Sequence, residues 1–204
     1  MFGNLKRKWN RKNLKDERFA FLFDEAPQDE IVVFDCETTG LNPKKDEIIS
    51  IGAVKVRDNR ILMNEAIHIY VRPEEEISHK SITIHQIRNC DLKDAVSAKE
   101  AIERLLYYIG NRGLVGYYLE FDVAMVNKYS EEMIGITLPN KMEEVSALYY
   151  DKKIKTIPQG NIDLRFDTIL QDLALPKLQA HDALNDAIMT AMMYLKLKNT
   201  KKLQ

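Results

Sequence analysis

The chain has 204 residues, 45% of them hydrophobic and 30% charged, which is enough apolar material for one sizeable core but too little length for two domains to be expected. The sequence lacks both a run of roughly eighteen apolar residues that could cross a membrane and a secretory apolar segment at its start. We therefore expect a cytoplasmic protein with no membrane partner. The formal net charge of −1 gives no overall attraction to a polyanion, which argues against a protein that coats duplex nucleic acid.

The first segment of the chain is basic. Residues 6–18 carry seven lysines and arginines against two acidic residues, a local excess of five positive charges. Pro27 and its polar neighbours disfavour a helix just before the first apolar run. We predict that residues 1–28 form a basic, helical extension and a linker, and that residues 29–204 form the globular domain. The arm could recruit a DNA polymerase or another protein partner, but a solvated helix face with no partner explains the same charges.

Strands are predicted first along the chain. Ile31–Phe34 is a short apolar run rich in β-branched residues, and Glu47–Val56 and Arg60–Val71 follow with mixed alternation. Asp58-Asn59 supplies a tight turn between the last two. The pattern predicts an antiparallel meander of three strands.

Helical spacing of apolar residues begins further on. It predicts a helix from about Ser97 to Ile109, a brief strand at Leu114–Tyr117, a helix from about Asp122 to Met133, and a final helix at Ala183–Leu197. Strands that lead and then alternate with helices predict a mixed α/β sheet domain.

Asp35 and Glu37 lie at the end of the first predicted strand. Residues two apart on a strand point to the same face, so the two carboxylates converge while Cys36 points to the core. Adjacent anions repel unless a cation lies between them, and hard divalent ions prefer carboxylate oxygens. An Asp-x-Glu pair by itself is also common as ordinary surface charge.

Two further acidic positions lie at helix starts. Asp122 follows a short strand, where helix capping is the alternative role. In the segment His181-Asp182-Ala183-Leu184-Asn185-Asp186, Asp186 can face the core from the first turn of the last helix while His181 stays on the segment before it. We interpret Asp182 as an N-cap and Asp186 as the functional carboxylate.

Together these motifs resemble the DnaQ-type exonucleases of the DEDD superfamily. The resemblance is carried by Phe34-Asp35-Cys36-Glu37-Thr38-Thr39-Gly40-Leu41, Glu47-Ile48-Ile49-Ser50-Ile51-Gly52, Phe121-Asp122 and the segment from His181 to Asp186, in the family order. The family includes the proofreading subunit of the bacterial replicative polymerase, ribonuclease T and oligoribonuclease. The tyrosine subclass would have Tyr where Asp182 stands, so the resemblance is to the histidine subclass, DEDDh.

The resemblance implies a ribonuclease H-like fold, with a mixed five-stranded sheet flanked by helices, over the domain at 29–204. It implies two divalent metal ions, Mg²⁺ or Mn²⁺, with Asp35 bridging both, Glu37 and Asp186 completing the shell of the first, and Asp122 acting on the second. His181 stands at the position of the family's general base. The residues implied to meet the terminal nucleotide are Thr38, Leu41, His85 and Phe121.

This chain departs from the family pattern in two places. Tyr117-Tyr118 stand where His-Asn is frequent, and Glu144-Val145-Ser146 stand where an Asp-Thr pair is common. Neither change removes a metal ligand, so they bear on substrate preference and local packing.

The expected function is therefore a 3′–5′ exonuclease that hydrolyses single-stranded nucleic acid from its 3′ end and releases nucleoside 5′-monophosphates, with DNA favoured. An exoribonuclease or oligoribonuclease-like enzyme of RNA turnover is the alternative, because the catalytic residues do not distinguish DNA from RNA and the 2′-hydroxyl contacts that would do so are not part of the motifs. A non-catalytic domain that binds nucleic acid or a polymerase is the third alternative, although such a domain has no physical need for four converging anions.

Overall fold

One mixed sheet lies at the centre of the computed structural model, which describes residues 2–155 and 161–201. The strands are β1 (Glu30–Thr38), β2 (Ile48–Arg57), β3 (Arg60–Ile61), β4 (Ile67–Tyr70), β5 (Gly113–Gly116) and β6 (Met142–Glu144). The helices are α1 (Phe2–Asn13), α2 (His79–His85), α3 (Ala98–Ile109), α4 (Leu119–Ile134), α5 (Val145–Lys153), α6 (Phe166–Asp172) and α7 (Ala183–Asn199). The predicted mixed α/β domain is thus confirmed.

The sheet is five positions wide although it has six strands. Its order is β3-β2-β1-β5-β6, and β4 also pairs with β2. Strand β3 pairs with the end of β2 at Val56 and Arg57, and β4 pairs with its earlier part, so the two short strands share one position. β1 and β2 are antiparallel, whereas β5 is parallel to β1 and to β6.

The predicted single strand from Arg60 to Val71 is wrong in one respect, because it is interrupted. β3 ends at Ile61, and a 3-10 turn at Met63–Glu65 precedes β4. The turn brings the carboxylate of Glu65 to 2.8 Å from the ammonium of Lys55 on β2. The interruption thus accompanies a contact with another strand, which a pattern of alternating residues along one segment does not contain.

Helices cover both faces of the sheet. Neighbouring residues of β1 point to opposite sides, so Val33 packs with α7 in one apolar cluster and Phe34 packs with α3 and α4 in another. Each fully buried side chain of this size contributes about 1.5–3 kcal/mol of burial free energy. β1 is therefore held from both faces of the sheet.

The N-terminal segment packs onto the domain. After α1, a 3-10 turn at Glu17–Phe23 places Phe19 and Leu22 in the core, 1% and 0% exposed. Arg11 pairs with Glu17 at 2.8 Å. The division at residue 28 stays a prediction, and Met1, residues 156–160 and residues 202–204 lie outside the described residues. Within the residues that are described, no helix has the length and apolarity needed to cross a membrane.

Candidate active site

The first two carboxylates lie where β1 leaves the sheet. Asp35 pairs with Gly52 of β2 and Glu37 pairs with Ser50, and the register shifts just after Glu37. Beyond the shift, Thr39 and Glu47 form backbone and side-chain hydrogen bonds that close the loop between the strands. Asp35 and Glu37 therefore stand on one face at a strand end, as predicted.

Asp122 reaches this strand from α4. The parallel partner β5 pairs with β1 only as far as Val33, which leaves the backbone beyond it free of that neighbour. The N–H of Cys36 then donates to the Asp122 carboxylate at 3.1 Å. Asp122 is only 4% exposed and sits in the first turn of a helix that starts at Leu119, three residues earlier than predicted. Its side chain therefore turns to the β1 strand between the other two acids, and does not cap its own helix.

Asp186 approaches from α7 because Gly52 lets the helix lie directly on the sheet. A Cβ at Gly52 would overlap the backbone of Ala183 and Leu184. Gly52 is the register partner of Asp35, so this contact sets the first turn of α7 beside the β1 carboxylates. Asp182 caps the helix, accepting the N–H of Asn185 at 2.9 Å, as interpreted from the sequence.

We expect Gly52→Ala to lower the rate of hydrolysis by about 10²-fold, because a displacement of roughly 1 Å between catalytic groups has an effect of that size. Gly113→Ala is the matched control, since a Cβ there would meet Ile31 at an ordinary 3.5 Å. Steady-state kinetics, with circular dichroism and thermal melting to confirm folding, would measure the effect. Equal rates for Gly52→Ala and Gly113→Ala would contradict the role of this contact.

His181 stands at the open edge of the carboxylate cluster. It is exposed and has a positive φ of 60°, and its N–H donates to the Asp186 carboxylate at 3.1 Å. Ligand atoms of Glu37, His181 and Asp186 all lie within 4.8 Å of one another. The local backbone thus places His181, the predicted base, next to the predicted metal ligands Glu37 and Asp186.

The cluster is electrostatically unfavourable as an assembly of anions. Burial and then the charges of Asp122, Asp186, Glu37 and Asp182 raise the pKa of Asp35 well above its usual value. Burial raises the pKa of Asp122 strongly as well. Burial, followed by Asp186 and Asp182, raises the pKa of Glu37 to about 8. Burial raises the pKa of Asp186 to about 6, against the lowering effect of the His181 N–H.

These residues fit a divalent cation. The Oδ1 atom of Asp186 is buried and has no hydrogen-bond partner among the described residues, and an unpaired buried oxygen is costly unless something satisfies it. Carboxylate oxygens are the ligands that Mg²⁺ and Mn²⁺ prefer. A cation held between Asp35, Glu37, Asp122 and Asp186 would offset the repulsion that raises their pKa values.

We expect the metal-free protein to lose stability as the pH rises. The raised pKa values mean that Glu37 and Asp186 still hold protons in the folded state where the unfolded chain has released them. The contribution of these two groups to stability is therefore fully present below about pH 4 and is lost as the pH rises through their folded pKa values of about 6 and about 8. The melting temperature in chelator should drop by roughly 5 °C between pH 5.5 and 8.5.

Millimolar Mg²⁺ should remove most of this drop, and Glu37→Gln should reduce it in the absence of metal. Differential scanning calorimetry at the two pH values tests both. A melting temperature in chelator that rises with pH over this window would contradict the assignment of the acidic cluster.

The predicted substrate residues line one cavity with the acids. Its volume is about 580 Å³. The lining includes Asp35, Glu37, Asp122, His181 and Asp186 together with Thr38, Leu41, His85 and Phe121. The structure thus brings together all nine residues singled out from the sequence.

His85 contacts the cavity wall through hydrogen bonds of its own. Its Nδ1 accepts the N–H of Ile87 at 3.0 Å, so its Nε2 carries the proton and donates to the Ser81 hydroxyl at 2.9 Å. The Ser81 hydroxyl in turn donates to the carbonyl of Thr38 at 3.2 Å. Burial, followed by the charge of His181, lowers the pKa of His85, which favours the neutral ring that these bonds require. This chain of bonds fixes the loop after Glu37, a role that the sequence did not suggest.

Glu144 is a second residue whose role the sequence did not reveal. One of its carboxylate oxygens accepts the N–H of Leu119 at 2.9 Å, at the start of α4. The other accepts the N–H and the hydroxyl of Ser146 at 3.1 and 2.8 Å, at the start of α5. Glu144 therefore ties the helix that carries Asp122 to the neighbouring element. The only signal in the sequence was the departure from the usual Asp-Thr pair.

A mixed sheet with four acids and a histidine gathered at one strand end is a nuclease architecture, and comparison with known proteins agrees. The Exonuclease family model matches residues 32–194, so the chain belongs to that family. The predicted DnaQ-type resemblance is confirmed by the relatives. DNA polymerase III PolC-type of Thermotoga petrophila is 30% identical over 171 residues, 84% of this chain. DNA polymerase III subunit epsilon of Aquifex aeolicus is 26% identical over 166 residues, covering 81% of this chain and 79% of that protein.

Solved structures agree on the fold. E. coli exonuclease I in complex with a dT13 oligonucleotide superposes with a TM-score of 0.69 at 16% identity, covering 84% of this chain and 41% of that chain. Cell-death related nuclease 4 superposes with a TM-score of 0.72 at 15% identity, covering 85% of this chain and 65% of that chain. The predicted ribonuclease H-like fold is confirmed. The chain spans only 12% of the length of the Thermotoga petrophila protein.

Proposed function

We propose that this domain is a 3′–5′ exonuclease that hydrolyses single-stranded nucleic acid with two divalent metal ions, Mg²⁺ or Mn²⁺, and releases nucleoside 5′-monophosphates. The observation that carries the proposal is the cavity of about 580 Å³ in which the acidic cluster meets the predicted nucleotide-binding residues. A phosphodiester at its floor would lie against the acids while the terminal nucleotide occupies the remaining space.

Each carboxylate has a role in this proposal. Asp35, at the centre of the cluster, would serve both ions, Glu37 and Asp186 would hold the first, and Asp122, fixed by the Cys36 N–H, would hold the second. The ions, when bound, supply positive charge that activates water and stabilises the departing 3′ oxygen. His181 takes the proton of the attacking water, since imidazole changes its charge near neutral pH and here stands beside Asp186.

DNA is the favoured substrate because the relatives are named as DNA polymerase III proteins, and a structural neighbour was solved with a dT13 oligonucleotide. An RNA-turnover role is the second candidate. The chemistry of the four carboxylates would act on either sugar, so the sugar preference depends on contacts around Thr38 and Leu41.

The test is incubation of the purified protein with 5′-labelled single-stranded DNA and RNA of the same sequence, with Mg²⁺, Mn²⁺ or chelator. A ladder of 5′-labelled fragments shortened one nucleotide at a time, together with free mononucleotides, is the expected result. No cleavage with either metal, or release of the labelled 5′ nucleotide first, would refute the proposal. The relative rates on the two substrates decide between the DNA and RNA candidates.

The partners follow from the same proposal. Single-stranded 3′ ends are the substrate partner, and a DNA polymerase is the favoured protein partner because of the relatives' names. Part of the basic arm is already engaged, as Arg7 donates to the carbonyl of Asp24 and Arg11 pairs with Glu17. Recruitment through the arm and a cytoplasmic location stay predictions.

A further inference from the structure

Tyr118 has an unusual backbone for its residue type. Its φ and ψ are 58° and 33°, the left-handed region, at the residue just before α4. A bulky side chain rarely adopts this conformation, which costs of order 1–3 kcal/mol, and asparagine or glycine adopts it with less strain. Strained residues of this kind persist only where their surroundings hold them, and they cluster at functional sites.

The surroundings of Tyr118 do hold it in place. The next residue, Leu119, donates its N–H to Glu144 at 2.9 Å, and the carbonyl of Tyr118 accepts the N–H of Phe121 at 3.0 Å. The ring of Tyr118 lies near the ring of Phe121, with centroids 6.3 Å apart and planes inclined by 19°. Phe121 itself packs against the core. The backbone of Tyr118 is therefore fixed by hydrogen bonds, and its ring lies beside a ring that is packed on the core.

The ring is nevertheless open to solvent. Tyr118 is 70% exposed, Leu41 is 84% exposed and Ile84 is 49% exposed. All three line the cavity that contains the acidic cluster. Exposed large apolar side chains grouped around a charged centre mark a place where an apolar part of a ligand binds.

From this geometry we propose that Tyr118 is a stacking platform for the unpaired base of the 3′-terminal nucleotide. The inference rests on the proposed function and names a residue that determines how the substrate is selected. Aromatic rings stack on any base, because every base has a π-face, so the platform recognises an unpaired terminus without reading its sequence. A terminal base that is paired and stacked inside a duplex cannot use it.

The test compares two 5′-labelled single strands that differ only at the 3′ end, one with a normal nucleotide and one with an abasic tetrahydrofuran residue. Tyr118→Ala should raise KM for the normal strand roughly 5- to 150-fold, the factor that a lost base–aromatic stack corresponds to, with little change in kcat. The same variant should leave KM for the abasic strand unchanged. Tyr118→Phe keeps the ring and should behave as wild type on both.

Two further variants separate stacking from folding. Tyr118→Asn should raise the melting temperature, because asparagine tolerates the left-handed backbone, while it weakens binding of the normal strand as Tyr118→Ala does. Tyr150→Ala is the control, since Tyr150 is 43% exposed on α5. It should change KM for neither strand.

The outcomes are distinct. If wild type hydrolyses both strands but Tyr118→Ala and wild type share one KM for the normal strand, the platform is overturned while the proposed function stands. The platform is also overturned if Tyr118→Ala raises KM for the abasic strand by the same factor as for the normal strand. If wild type hydrolyses neither strand with Mg²⁺ or Mn²⁺, the proposed function fails first.

Discussion

Asp35→Asn and Asp186→Asn are each expected to lower hydrolysis below about 10⁻³ of the wild-type rate, since the lost metal contact removes several kcal/mol of transition-state charge stabilisation. Both substitutions preserve shape and remove a charge from a crowded group of anions. The metal-free variants should therefore melt at a higher temperature than the metal-free wild type, because the charged form of each acid is disfavoured in the fold. Hydrolysis assays and calorimetry in chelator measure the two effects.

Asp182→Asn is the matched control for these variants. Asp182 is the residue just before α7 and its charge raises the pKa of Asp35, but its own hydrogen bond is the helix cap to Asn185. Asparagine caps a helix as well as aspartate does, so this variant should retain activity close to wild type. Wild-type turnover in a folded Asp35→Asn protein, or loss of activity in Asp182→Asn equal to that in Asp186→Asn, would refute the site assignment.

His181→Ala is expected to lower the rate by about 10²- to 10⁴-fold while metal binding is retained, the usual effect of removing a positioned acid–base group. His181 is exposed and joined to Asp186 through its backbone N–H, so the cluster keeps that hydrogen bond when the ring is removed. His181→Asn should behave similarly, because an amide cannot take the proton.

Calorimetric titration with Mn²⁺ distinguishes a base from a ligand at this position. The ring lies close enough to Glu37 and Asp186 for either role, since their ligand atoms fall within 4.8 Å of one another. A loss of Mn²⁺ affinity in His181→Ala as large as that in Asp186→Asn would make His181 a metal ligand and overturn its assignment as the base. Unchanged affinity with a reduced rate is the expected result.

Several features could be predicted from the sequence because they depend on neighbours along the chain. Asp35 and Glu37 share a face because a strand repeats every two residues, and the structure keeps them at the end of β1. The final helix was predicted at Ala183–Leu197 and forms at Ala183–Asn199 with Asp182 as its cap. Local periodicity and capping chemistry were sufficient for these elements.

Other features depend on contacts between distant segments, and the sequence did not reveal them. The sequence does not distinguish Gly52 from an ordinary glycine in a strand, yet α7 can pack on the sheet only because Gly52 has no side chain. Phe19 and Leu22 lie in a segment whose charges suggested an arm, yet they are buried in the core. Glu144 bonds the starts of two helices. Each depends on which surfaces meet once the chain has folded.

The sequence by itself determined the chemistry of this protein. It fixes which side chains are carboxylates and how they are spaced on a strand and a helix, and these motifs identify the exonuclease family that the chain resembles. Only the tertiary structure decided that the acids meet in one cavity with pKa values raised by burial and mutual repulsion. It alone showed that Tyr118 is held open beside them in a left-handed backbone. The physical reason is that charge and periodicity are local properties, whereas burial, desolvation and strain arise from the packing of segments far apart in the chain.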